Sequence, residues 1–383
     1  MFNNSLNFMT SLRLTVACLS YALFLVFIGT ISQVDEGLYQ AQKHYFRSWF
    51  AFWPIPTTSF KLPLFGGYFV GTVLLVNLLA AHAKRFTFTW KKGGIFFIHF
   101  GVILLLLGQL FTDVLSKESI MRMEKGETKS FSENQMSSEL VITTKLDAVN
   151  DKVVAIPESM LRNDSVIDHG DLPFKVRIVS RWENAKLERE AGSSTIKPDV
   201  NMGAGAEIFV LPQKAVTSMD EVNMPASVVE LLDGTKSLGK WLVWSGTAMQ
   251  QKVEHGGKEY QLSLRFERHY RPYSFTLIDC KHEKYKGTDV PKNFASQIRL
   301  VNSVTGEDFE RLIYMNNPLR YDGLTFYQYQ MNSDELGTAT STVLQVVRNP
   351  SWLAPYFGCI LVGLGLIYQF MFHLVGFLGR RTS

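Results

Sequence analysis

Charged residues drop out of this chain in four places, and each gap is of membrane length. Leu14 to Val34 runs between Arg13 and Asp35, Leu62 to Ala83 between Lys61 and Lys84, and Gly93 to Thr112 between Lys92 and Asp113. The last gap, Asn349 to Gly379, lies between Arg348 and Arg380 and is long enough to tilt or to include an interfacial turn. A helix needs about 20 apolar residues to cross the hydrocarbon core of a bilayer. The pattern therefore predicts four transmembrane helices, at about 14–34, 62–83, 93–115 and 349–379. The first block is too long for a signal peptide and is followed by no small-residue cleavage site, so it is expected to remain as an anchor.

Between 116 and 348 the period changes to two. ELVITTKL, FKVRIVSRW, EYQLSLRFERHY and YSFTLIDC alternate and are rich in β-branched and aromatic residues. Turn signals separate such stretches at His255-Gly256-Gly257-Lys258, Val304-Thr305-Gly306-Glu307 and Asp322-Gly323. An antiparallel, sandwich-like β domain is expected here, with one short helix at ASVVELLDG and a strand at KWLVWSG. The fold class is thus an α-helical integral membrane protein with a large, mainly β domain inserted between helices three and four. Its parts are a membrane domain, 1–115, the β domain, 116–348, and the last helix with its tail, 349–383.

Lys and Arg in short flanks set orientation. AKRFTFTWKK carries Lys84, Arg85, Lys91 and Lys92, and the C-terminus carries Arg380 and Arg381. Both segments are expected in the cytoplasm, which puts both termini inside and the β domain on the outer face. The net charge of +4 gives no footprint for nucleic acid. Of the three cysteines, Cys18 and Cys359 lie in apolar blocks and Cys280 stands alone, and no C-x-x-C occurs. Neither an internal disulfide nor a thioredoxin-like activity is expected.

Eight histidines remain to be placed. His169, His255, His269 and His282 fall in the β domain without metal-ligand spacing, His44 falls in the first outer loop, and His82, two residues before Lys84, can snorkel to the interface. His99 and His373 lie inside apolar spans. Counted from Gly93 and Arg380 they sit six and seven residues in, roughly 9 and 10 Å from the cytoplasmic side. Polar groups are costly in hydrocarbon, so intramembrane histidines point to function. Two neutral imidazoles at matched depth suit the axial positions of haem iron. An interhelical hydrogen bond and a proton relay are the alternatives, although a relay usually adds membrane carboxylates and the four gaps hold none. Gly101 and Gly108 in span three, with Gly358, Gly363 and Gly365 in span four, suit close helix packing.

SLRLTVACLSYALFLVFIGT with YFRSWF, GGIFFIHFGVILLLLG, NNPLRYDGLTFYQYQ (Asn316 to Gln330) and the order of three spans, outer domain and one span together resemble the ResB (CcsB) family. About 150–290 carries no specific match. The resemblance implies a bacterial cytoplasmic-membrane protein of the System II cytochrome c maturation pathway, with the large domain in the periplasm or outside. It implies transport of haem b outward together with a ResC/CcsA-like membrane partner, for attachment to apocytochrome c, and a separate thioredoxin-like thiol reductant. His99 matches the family's transmembrane haem-iron ligand. The opposite ligand then comes from the partner, whereas the depth count offers His373 of this chain. The partner family's tryptophan-rich segment is absent, so this chain resembles the ResB half alone. It is expected to hold no catalytic residue of its own and to act as part of a synthase complex. The aromatic run Tyr321, Phe326, Tyr327 and Tyr329 reads either as a partner-facing patch or as a hairpin with an interfacial belt. A b-type haem electron-transfer subunit and a membrane scaffold or sensor are the competing functions.

Overall fold

Four helices carry the apolar blocks: α1 (Leu12–Glu36), α2 (Gly67–Arg85), α3 (Gly93–Leu115) and α4 (Ala354–Arg381). Each is long and apolar enough to cross a membrane. The protein is seen here as a computed structural model that describes residues 7–54, 60–85, 89–148, 150–216, 222–246, 250–284, 291–333 and 339–381. The side chains of Arg85 and Arg381 lie outside the described residues. Contacts divide the chain into two units, 1–117 with 348–383, and 118–347.

In the helical unit, α3 and α4 meet through glycine. A Cβ at Gly94 would lie 2.6 Å from the Gly365 carbonyl oxygen, one at Gly101 2.7 Å from Val362, and one at Gly108 2.6 Å from Ala354. On α4, Gly358 and Gly365 meet Leu105 and the Gly94 carbonyl in the same way. Backbones approach closely because these side chains are missing. Gly363 belongs to no such contact, since a Cβ there meets nothing within 4 Å. Beside Leu115, Thr112 joins Ser351 (3.0 Å) and Asn349 (3.4 Å) in the turn before α4.

The second helix starts later than the charge gap suggests. Lys61–Phe65 is a strand paired with Phe50–Pro54, with Trp53 opposite Leu62 and Ala51 opposite Leu64. Pro63 suits such an edge strand better than a helix interior. Gly66 then turns the chain where a Cβ would sit 2.1 Å from the Ser48 carbonyl oxygen. Asn77, buried on α2, donates to the Met9 carbonyl (2.7 Å) and accepts from Thr15 (2.6 Å). This polar pair joins α1 to α2 inside apolar surroundings, where an unpaired amide would be costly.

Among the described residues the second unit holds a ten-stranded, a four-stranded and a two-stranded sheet. The central path of the largest one runs Glu307–Tyr314, Pro291–Asn302, Lys258–Lys284, Thr128–Lys145, Lys117–Glu124, Ala339–Arg348, Leu324–Ser333 and Leu319–Tyr321. Its two ends curl over one core, in which Phe275 lies 4.6 Å from Phe326 and Tyr273 4.9 Å from Tyr321. The four-stranded sheet packs Val176, Ile178, Val229 and Trp241 against Leu140, Ile142, Ile156 and Leu262 of the largest one.

ASVVELLDG is a strand rather than a helix. Ala226–Asp233 pairs with both Lys175–Trp182 and Lys236–Trp244, and residues 226–231 are all buried. A strand covered on both faces loses its alternation and cannot be told from a short buried helix by period alone. The hairpins at Gly256-Gly257, Gly306 and Asp322-Gly323 form where expected, with positive φ at each of these residues. KWLVWSG supplies the strand Lys236–Trp244.

Gly101→Ile is expected to cost about 1–3 kcal/mol by overpacking α3 against α4. A fall in the thermal unfolding temperature of the full chain in detergent checks it, with Gly363→Ile, which meets open space, expected to leave that temperature unchanged.

Candidate functional site

Glycine packing fixes how α3 is rotated. With Gly94, Gly101 and Gly108 against α4, the side carrying His99 turns toward α2. There His99 Nδ1 lies 3.1 Å from Nε2 of His82, with the rings edge to face at 83° and 4.7 Å between centroids. His82 Nδ1 in turn lies 3.0 Å from the Leu78 carbonyl oxygen one turn earlier on α2. The two histidines therefore form a chain that ends on a backbone acceptor. His82 does not simply reach for the interface.

The depth match between His99 and His373 does not survive the helix register. Gly365 lies against Ile98, the residue before His99, and His373 is eight residues further on, roughly 12 Å along α4. Gln369 already meets the Lys91 carbonyl at 3.4 Å, so α4 runs on past the first residue of α3. Equal counts from the nearest charge gave equal depths only on the assumption that both helices end at one level. His373 Nε2 accepts from the Gln369 amide at 2.8 Å.

Toward Leu115, the same side of α3 lines a cavity of about 600 Å³. His99, Leu106 and Asp113 are seven residues apart along this side, and Leu106 and Asp113 line the cavity. Its other walls include Gly29 and Thr30 of α1 and Gly71 and Thr72 of α2. Arg47 closes one end, its Nε 2.9 Å from Asp113, whose side chain is only 7% exposed. Asp113 ends an apolar span and looked like a boundary marker in the sequence. Its role as a paired, nearly buried carboxylate depends on Arg47, far away in the chain.

Arg47 is held by a π-helical turn, Gln42–Phe46. Within it Tyr45 is fully buried and accepts from Ser32 (3.1 Å), and burial pushes its phenol up from the usual range. His44 stands between Glu36 (3.4 Å, from Nδ1) and the Phe52 backbone N–H, which donates to Nε2 (3.4 Å). Both of its nitrogens are thus engaged, and its role is to fix this turn.

Other candidate residues prove structural. The Cys280 thiol is buried and donates to the Ala339 carbonyl (3.3 Å), and burial pushes its pKa up, which suits an inert core residue. His169 and His255 each lie beside one aspartate, at 3.8 and 3.9 Å. In the stretch Asn316 to Gln330, Phe326 is core, and Tyr321 accepts from Asn302 (2.7 Å) and donates to Glu307 (2.5 Å). Gln328 accepts from Ser296 (2.6 Å) and donates to Thr342 (2.9 Å). This motif therefore builds the hairpin and closes the curled sheet.

A family model described as the ResB-like family matches residues 88–342. The match takes in His99 and the Asn316 to Gln330 stretch, and it starts after His82. Protein NrfI of Wolinella succinogenes is 23% identical over 304 residues, which are 78% of this chain and 29% of that protein. The chain thus spans less than a third of the length of this curated relative.

Asp113→Asn is expected to destabilise the helical unit by about 1–2 kcal/mol, the partial exposure of Arg47 reducing the cost of its lost partner. Thermal unfolding of the full chain in detergent reads this loss, and an unchanged midpoint contradicts a stabilising role for the pair.

Proposed function

The chain belongs to the ResB-like family, and on that footing we propose that it is the haem-handling subunit of a cytochrome c maturation complex. The observation that carries the reading is the imidazole chain on α2 and α3. A carbonyl oxygen only accepts, so Nδ1 of His82 carries the hydrogen directed at Leu78. In the neutral ring Nε2 of His82 is then bare and accepts, so Nδ1 of His99 carries a hydrogen in its turn. Nε2 of His99 is left as a lone pair, the form in which imidazole ligates a metal. Haem b held there by His99 would supply an iron that takes imidazole nitrogen and vinyl groups to which cysteine thiols add.

The residues around His99 fit such a cargo. Phe96 and Phe100 stack at 6.1 Å and 3° beside it and give a flat apolar surface. Further along α3 the cavity offers mixed walls, apolar at Val26, Leu75, Leu106 and Leu110, and at one end Arg47, which pairs with Asp113 through Nε and is half exposed, so that its other N–H groups can meet a carboxylate. His373 stands at another level and its Nε2 is engaged, so any second imidazole would come from a ResC/CcsA-like partner. The thiols of this chain are single and either buried or in apolar helices, so the reduction of apocytochrome c falls to a thioredoxin-like partner.

Lys84, Lys91, Lys92 and Arg380 orient the chain in a bacterial cytoplasmic membrane with both termini in the cytoplasm and the β domain outside. Haem then enters near His99 on the cytoplasmic side and leaves toward Arg47. A resident b-type electron-transfer haem has less support, because such a site wants two imidazoles free to face one iron, whereas the His82 ring is hydrogen-bonded to His99 and to the Leu78 carbonyl.

In cells carrying His99→Ala as the sole copy, covalent haem on c-type cytochromes should fall to near background while the variant still accumulates in the membrane. Haem staining of membrane proteins reads the outcome. Normal attachment with His99→Ala contradicts the assembly role.

A further inference from the structure

We propose that His82 is the positioning residue for His99: it imposes on His99 the tautomer with a bare Nε2 and orients that nitrogen for haem iron. The inference rests on the reading of His99 as a haem ligand and adds a residue that the family match, which begins at residue 88, does not cover.

A neutral imidazole has two tautomers, and only the one protonated on Nδ1 offers Nε2 to a metal. An isolated His99 in an apolar span samples both. With His82 neutral, the two contacts that its ring makes select one of them. The Leu78 carbonyl accepts from His82 Nδ1 at 3.0 Å, and His82 Nε2 accepts from His99 Nδ1 at 3.1 Å. Each ring is thereby oriented by the one before it, and the series begins on helix backbone that cannot titrate. The edge-to-face angle of 83° lets the Nδ1–H of one ring point at the in-plane lone pair of the other. Nothing among the described residues hydrogen-bonds to His99 Nε2.

Two consequences follow for a ligand imidazole held in this way. Its ring orientation is fixed before the metal arrives, which lowers the cost of binding. An acceptor on Nδ1–H also makes Nε2 a stronger donor to the metal, as outer partners of ligating histidines generally do. A stronger donor favours the ferric over the ferrous state, so it lowers the midpoint potential. A histidine that only spaced two helices would supply neither effect.

The test uses the purified full chain in detergent, titrated with haem b and followed by its Soret absorbance and by redox titration. His82→Leu removes the acceptor. It should weaken haem binding ~10–100-fold and raise the midpoint potential. His82→Gln places a carbonyl oxygen near the same position and should recover most of the affinity and the potential. Thermal unfolding of each variant separates a folding defect from a ligand effect. If His82→Leu binds haem with unchanged affinity and potential, while His99→Ala abolishes binding, the positioning role is overturned and the reading of His99 stands. If His82→Leu and His82→Gln lose binding equally and both unfold at lower temperature, His82 only packs and the proposal fails. If His99→Ala binds haem as the unaltered chain does, the failure lies in the reading of His99 itself.

Discussion

The approach of α3 to α4 without room for a single Cβ at Gly94, Gly101 or Gly108 sets the geometry of the helical unit. Three glycines at seven-residue spacing give one side of α3 to α4, and the rotation of α3 follows from that. The side bearing His99, Leu106 and Asp113 is left for α1, α2 and the π-helical turn. Three features that look unrelated along the chain thus share a cause: the imidazole pair, the cavity beyond it, and the Arg47–Asp113 ion pair at the far end. A glycine stripe on one face thus decides which residues face α1 and α2 on the other.

That other face reads as chemistry in order of position. Near one end His82 links the Leu78 carbonyl to His99. Next comes a cavity of mixed walls, and at its edge a guanidinium suited to carboxylates. The β unit contributes none of these groups. Its most recognisable sequence, Asn316 to Gln330, goes into a hairpin and a buried polar cluster of Ser296, Gln328 and Thr342.

Much of the architecture was legible because its causes are local. Gaps between charges located four helices, and Gly-Gly and Asp-Gly signals located hairpins that form at those residues. The errors share another cause. Lys61–Phe65 is apolar and sits at the mouth of a charge gap, yet it pairs with Phe50–Pro54, a contact that no window around it contains. Ala226–Asp233 hides its period because a second layer covers each face. His99 was visible as an expensive residue in an apolar span, but its partner was not. His82 lies two residues before Lys84 and resembles any interfacial histidine, and only the pairing of α2 with α3 brings it to His99. The depth of His373 failed for the same reason, because register between helices is set by where glycines meet and not by distance to the nearest arginine.

The protonation of one nitrogen, Nε2 of His99, can be observed directly. With ¹⁵N-labelled histidine in the full chain, nuclear magnetic resonance distinguishes a bare ring nitrogen from a protonated one, and His99→Gln assigns the signals. The account predicts that at neutral pH His99 carries its hydrogen on Nδ1, with Nε2 bare, and that a diamagnetic metalloporphyrin shifts the Nε2 resonance and leaves Nδ1 protonated. A hydrogen on Nε2 in the free chain, or an Nε2 resonance that the porphyrin does not move, would contradict it.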